Sequence, residues 1–196
     1  MASETKLARR DAVDALLRDR GDMLVVSGLG SPTWDVFSSG DHDGNFYLWG
    51  AMGGAALMGL GLAQAQPERK VLVITGDGEQ LMGIGGLATI AVAAPKNLSI
   101  VVLDNGLYGE TGMQVSHSGH GIDLARIAEA SNFAETCTAT TLGEVNTARD
   151  LIHRPANGPR FVLVKIDPSL PPRVLPPRDA VYLKNRFRTH LGFAVN

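Results

Sequence analysis

Val71-Leu72-Val73-Ile74-Thr75-Gly76-Asp77-Gly78-Glu79 joins an unbroken apolar, β-branched run to a glycine-bounded acid. Continuous rather than alternating hydrophobicity is what a strand covered on both faces requires. Residues 79–94 then read as a glycine-interrupted helix, and a second β-branched run over 98–103 ends in Asp104-Asn105-Gly106. Strand, turn, helix and strand in that order predict two parallel strands whose loops open at the same end of a sheet.

The alternation continues in both directions. Upstream, the charged opening stretch has a helical pattern, with Ala8, Ala12, Ala15 and Leu16 on different faces from Leu7, Asp11, Asp14 and Arg18, and ends near Gly21. Residues 23–26 form a buried-type strand that runs into Ser27-Gly28-Leu29-Gly30-Ser31-Pro32, and Pro32 opens a short helix through Phe37. A polar turn over 41–45 precedes a short strand, 46–48, and a helix over 52–64 whose many glycines and alanines demand close neighbours. Downstream, residues 104–121 show no periodicity. Residues 123–131 are helical, 133–138 a strand, 142–153 a helix stopped by Pro155, and 161–166 the last strand.

The expected architecture is a single α/β domain over residues 1–166, doubly wound, with a mostly parallel sheet and helices on both faces. Ligand chemistry belongs at its strand-end loops, residues 27–31, 49–53, 76–80 and 104–112. Residues 167–177 hold five of the ten prolines and lead to a basic helical piece over 179–190. Residues 167–196 therefore read as a Pro-rich linker and an arm that docks on its own domain or on a neighbour.

At 196 residues, 44% apolar and 19% charged, the chain suits one packed core. A net charge of -2 gives no electrostatic case for nucleic acid or an anionic membrane surface. The single cysteine, Cys137, excludes an internal disulfide framework and any cysteine-built metal cluster from this chain alone, and reads as a small buried hydrophobe. With no signal-like segment and no run long enough to span a bilayer, the expected location is the cytoplasm.

Alone, Gly76-Asp77-Gly78 is a weak signal, because any turn can contain it. It gains meaning from Asn105, which lies 28 positions after Asp77 at the end of the next strand. If those strands are neighbours, two hard oxygen donors emerge side by side, next to a helix start whose N–H groups suit a phosphate. Mg2+ fits such a site, since it takes oxygen ligands and completes its shell with diphosphate oxygens and water.

These motifs resemble the signature of thiamine diphosphate enzymes, which runs from Gly-Asp-Gly to a terminal Asn-Asn or Asp-Asn. The resemblance implies thiamine diphosphate and Mg2+ as cofactors, with Asp77, Asn105 and the carbonyl of Leu107 as metal ligands. Gly50-Ala51-Met52-Gly53 is similar to the family turn that meets the aminopyrimidine, with Gly50 giving the carbonyl contact and Met52 supporting the bent cofactor. The cofactor-facing set thus comprises Gly50, Ala51, Met52, Gly76, Asp77, Gly78, Glu79, Asn105, Leu107, Tyr108 and Gly109. Two positions depart from the pattern: Glu79 and Ala51 stand where serine is usual, and an anion at position 79 must point away from a diphosphate or be neutralised.

The stretch 48–114 is most similar to the small (beta) subunits of sulfopyruvate and phosphonopyruvate decarboxylases. In this superfamily a glutamate from a separate pyrimidine-binding domain primes the cofactor, and such a domain needs about as many residues as the whole chain. The resemblance therefore implies a partner subunit of similar size, a hetero-oligomer of α2β2 or larger form, and a non-oxidative decarboxylase of a small 2-oxo acid. A carboligase or synthase subunit and a non-catalytic cofactor-binding paralogue are the alternatives.

Other residues read less sharply. His117 is a candidate proton relay or substrate-orienting group, and His120 less so. Tyr108 and Glu110 read equally as site or loop-packing residues. The turn over 41–45 lacks the glutamate a calcium loop needs, having Met52 in its place, and Gly28-Leu29-Gly30 lacks the third glycine of a dinucleotide fingerprint, having Thr33. Arg173, Arg178, Lys184, Arg186 and Arg188 form a solvated face or a subunit contact.

Overall fold

The computed structural model describes residues 7–194, so the helical pattern assigned to residues 1–6 lies outside the described part. Its first half contains α1 (Arg9–Leu17), β1 (Leu24–Ser27), α2 (Ser31–Ser38), β2 (Asn45–Tyr47), α3 (Ala55–Ala65), β3 (Val71–Gly76), α4 (Asp77–Met82) and α5 (Gly86–Ala93). The second half contains β4 (Leu98–Asp104), β5 (Leu107–Tyr108), β6 (Gln114–Val115), α6 (Leu124–Ala130), β7 (Glu135–Ala139), α7 (Leu142–His153), β8 (Arg160–Lys165) and α8 (Ala180–His190).

Six strands form one sheet in the order β2-β1-β3-β4-β8-β7, and every pairing in it is parallel. The reason lies in β3, where successive side chains alternate between two cores. Leu72 and Ile74 face Ala12, Leu16, Val36 and Val145 of α1, α2 and α7. Val71 and Val73 face Ala56, Leu60, Ile90 and Leu124 of α3, α5 and α6. A strand with both faces covered must be apolar throughout, and each fully buried aliphatic side chain contributes ~1.5–3 kcal/mol. The chain leaves β1 toward β2 on one side and β3 on the other, which creates a crevice at the carboxyl ends of β1 and β3.

Three details differ from the sequence expectation. The helix expected over 79–94 is broken into α4 and α5. A Cβ at Gly83 would lie 2.1 Å from the Gly53 carbonyl oxygen, so the break is where the 50–54 turn presses on the helix. The aperiodic 104–121 segment carries a small antiparallel ribbon, β5 paired with β6, too short to show a period of two. Leu7 precedes α1 and is buried, its carbonyl accepting a bond from the Asp167 N–H at 2.8 Å.

The described contacts of the arm are with its own domain, one of the two dockings expected. Leu183 and Phe187 of α8 are buried, Trp49 Nε1 donates to the Pro177 carbonyl at 2.9 Å, and Arg186 pairs with Asp41 at 2.6 Å. No helix among the described residues is long and apolar enough to cross a membrane.

Candidate active site

Parallel pairing of β3 with β4 sets Gly76 opposite Leu103, so Asp77 and Asp104 leave adjacent strand tips with Asn105 one residue further on. A cavity opens there. All four expected loops line it: Leu29 and Ser31 from the first, Met52 from the second, residues 76–79 from the third, and Asn105 with 107–111 from the fourth. Arg9, Pro32, Leu103 and Ile166 complete the wall and were not singled out from sequence.

Gly50 and Ala51 are exposed and sit beside the wall, next to Met52, rather than in it. Ala51 adopts a left-handed conformation with φ of 57° and accepts the Gly54 N–H at 2.8 Å, which fixes a tight turn behind Met52. Tyr108 lies across Gly78 so closely that a Cβ there would meet its ring at 2.5 Å. His117 and His120 are exposed and outside the wall, but His117 Nδ1 is 3.0 Å from the Tyr108 hydroxyl and so reaches the cavity through that ring.

Asp77 begins α4 and is buried. Its Oδ2 accepts bonds from the hydroxyls of Ser116 and Ser118, the latter at 2.8 Å, and Ser118 is also 2.7 Å from Asp104 Oδ1. Ser118 has one proton for two carboxylates. Lys165 compensates Asp104, pairing with its Oδ2, while Asp77 has no cationic partner among the described residues. Burial pushes the Asp77 carboxyl above the usual range, and the two serine hydroxyls pull it back. A cation at the free side of Asp77 would relieve both the burial cost and the shortage of donors.

Asn105 Oδ1 accepts the Leu107 N–H at 3.0 Å and keeps a second lone pair. Among the described residues no group of three His, Cys, Asp or Glu side chains could hold a metal unaided. One carboxylate, one amide and backbone oxygens instead suit an ion that keeps water or phosphate ligands, as Mg2+ does. Ser116 and Ser118 were missed in the sequence, where two serines in a polar loop carry no signal.

Residues 36–166 match the family model for the thiamine pyrophosphate enzyme C-terminal TPP binding domain. The chain belongs to this family. It is 39% identical over 166 residues to the sulfopyruvate decarboxylase subunit beta of Methanothermobacter thermautotrophicus, covering 83% of this chain and 84% of that one. It is 37% identical over 168 residues to the phosphonopyruvate decarboxylase of Streptomyces viridochromogenes, covering 85% of this chain but only 42% of that longer one. The thiamine diphosphate-dependent 4-hydroxybenzoylformate decarboxylase of Rhodococcus jostii has the same fold, with a TM-score of 0.70 at 24% identity, covering 85% of this chain and 34% of that one. In this family member the matched region takes in Met52, Asp77, Asn105 and Tyr108, whereas Arg9, Leu29 and Ser31 of the wall precede it.

Proposed function

We propose that this chain is the diphosphate- and metal-binding subunit of a two-subunit thiamine diphosphate-dependent decarboxylase acting on a small 2-oxo acid with a second acidic group. The observation that carries the reading is Asp77, a buried carboxylate without a cationic partner among the described residues, set beside Asn105 in the cavity wall. In this reading Asp77, Asn105 and the Leu107 carbonyl hold Mg2+, and the metal holds the diphosphate. The cofactor, when bound, supplies an electron sink for the bond broken as carbon dioxide leaves.

The chain's own groups bind, orient and shield. Met52 supports one end of the cofactor from the 50–54 turn. Gly76 and Gly109 allow close backbone approach, Gly78 makes room for the Tyr108 ring, and Tyr108 closes the wall with its hydroxyl coupled to His117. The substrate class is supported by the sulfopyruvate and phosphonopyruvate decarboxylases among the relatives. A pyrimidine-binding partner supplying the priming glutamate is supported by the relative named as a subunit beta, of which the match covers 84%.

Calorimetry with Mg2+ and thiamine diphosphate tests the reading. Asp77→Ala should abolish metal-dependent cofactor binding while the circular dichroism spectrum stays that of the wild type. Unchanged affinity would remove the basis of the assignment. Product analysis with and without an acceptor aldehyde separates decarboxylation from carboligation.

A further inference from the structure

Glu79 is the member of the Gly76-Asp77-Gly78-Glu79 turn least suited to a diphosphate neighbour, yet it is only 4% exposed. Its carboxyl is spent on the protein. Oε2 accepts from the Thr75 hydroxyl at 2.6 Å, Oε1 accepts from the Ala55 N–H at 3.3 Å, and the N–H groups of Leu29 and Gly53 also face it. No cationic side chain among the described residues pairs with it, so its partners are neutral donors from three segments: the loop after β1, the turn leading into α3, and β3 itself. The loop after β1, the turn before α3 and the end of β3 with the start of α4 each contribute to the cavity wall, through Leu29, Met52 and residues 76–79. Gly28 shows how tightly the carboxyl is threaded: a Cβ there would lie 1.8 Å from Oε2.

We propose that Glu79 is a positioning residue that clamps the 50–55 turn to the ends of β1 and β3, holding Met52 in place for the pyrimidine end of the cofactor rather than touching the diphosphate. The consequence for cofactor rests on the function proposed above; the clamp itself rests on the hydrogen bonds. A carboxylate suits this place because it accepts several bonds and donates none, whereas the serine usual at this position is too short to reach the 53–55 backbone.

Three variants test it. Glu79→Ala removes the acceptor. Gly28→Ala displaces the flexible carboxyl from outside. Glu79→Gln keeps an oxygen for the N–H groups and can turn its amide toward Thr75, whose hydroxyl then accepts. In the cofactor-free chain, amide hydrogen exchange at Gly53 and Ala55 should speed up in the first two variants and stay near wild type in the third. In calorimetry, the first two should weaken binding of Mg2+ with thiamine diphosphate by roughly tenfold. They should leave Mg2+ with inorganic pyrophosphate within about twofold, because only the pyrimidine end has lost its seat.

The clamp is overturned if exchange at those amides does not respond, if the two affinities fall together, or if Glu79→Gln behaves as Glu79→Ala. Wild-type protein that binds no thiamine diphosphate would instead refute the cofactor reading, and the exchange measurements would still decide the clamp.

Discussion

Asp77 owes its setting to two serines 39 and 41 residues away in sequence, which orient one carboxylate oxygen and leave the other for a ligand. Supporting hydrogen bonds of this kind typically change metal affinity by roughly 10–100-fold when removed. Ser118→Ala should therefore weaken Mg2+ binding, titrated at saturating thiamine diphosphate, by roughly tenfold or more. Pyrimidine contacts at Met52 should be unaffected. A titration that matched wild type would mean that the serine only fills space. Asp77 and Asn105 were legible because each sits where a buried strand stops, and strand ends are where α/β sheets hold ligands. The serines were not, because the ribbon that brings them back to β3 is a tertiary arrangement with no local pattern. Glu79 was legible as an anomaly, and only the tertiary approach of the loop after β1 and of the 50–55 turn shows what its carboxyl holds besides Thr75.

At the scale of elements, β1, β3, β4 and β8 were readable because burial on both faces leaves a continuous apolar run in the sequence. The split between α4 and α5 was not, since what ends α4 is the Gly53 carbonyl from another loop. The far end of the sheet carries a separate device. Arg160, buried at the start of β8, donates to the carbonyls of Arg154 at 2.9 Å and Pro155 at 2.7 Å after α7, and to Glu135 on β7 at 2.6 Å. The Arg160 hydrogen bond, with help from Arg154, holds the Glu135 carboxyl below the usual range. A depressed folded-state pKa stabilises above the ordinary glutamate range, and the gain is lost as pH falls through the folded value. Glu135→Gln should thus lower stability in urea by about 1 kcal/mol near neutral pH, a figure kept small because the side chain is partly exposed. The difference should close in acid. A gap that did not narrow on acidification would assign the loss to packing instead of charge.

Across the whole molecule, apolar surface is distributed unevenly. α3, α4 and α5 leave Leu57, Met58, Met82 and Val92 exposed, Val92 at 89%, although these helices also build one of the two cores. Met82 abuts the Gly53 turn, which places it beside Met52 at the mouth of the cavity. Helices apolar on both sides are costly to leave in water, and a partner seated there would cover them while closing the cavity. The proposed function then predicts that the chain purified alone shows no decarboxylase turnover, and that turnover appears on adding the partner subunit. Val92→Glu gives the matching test, because a change at so exposed a position should alter stability by less than about 0.5 kcal/mol. It should nonetheless abolish co-elution with the partner, since a charge buried in an apolar interface is left unpaired. Turnover by the isolated chain, or co-elution that survives the substitution, would place the missing glutamate or the contact surface elsewhere.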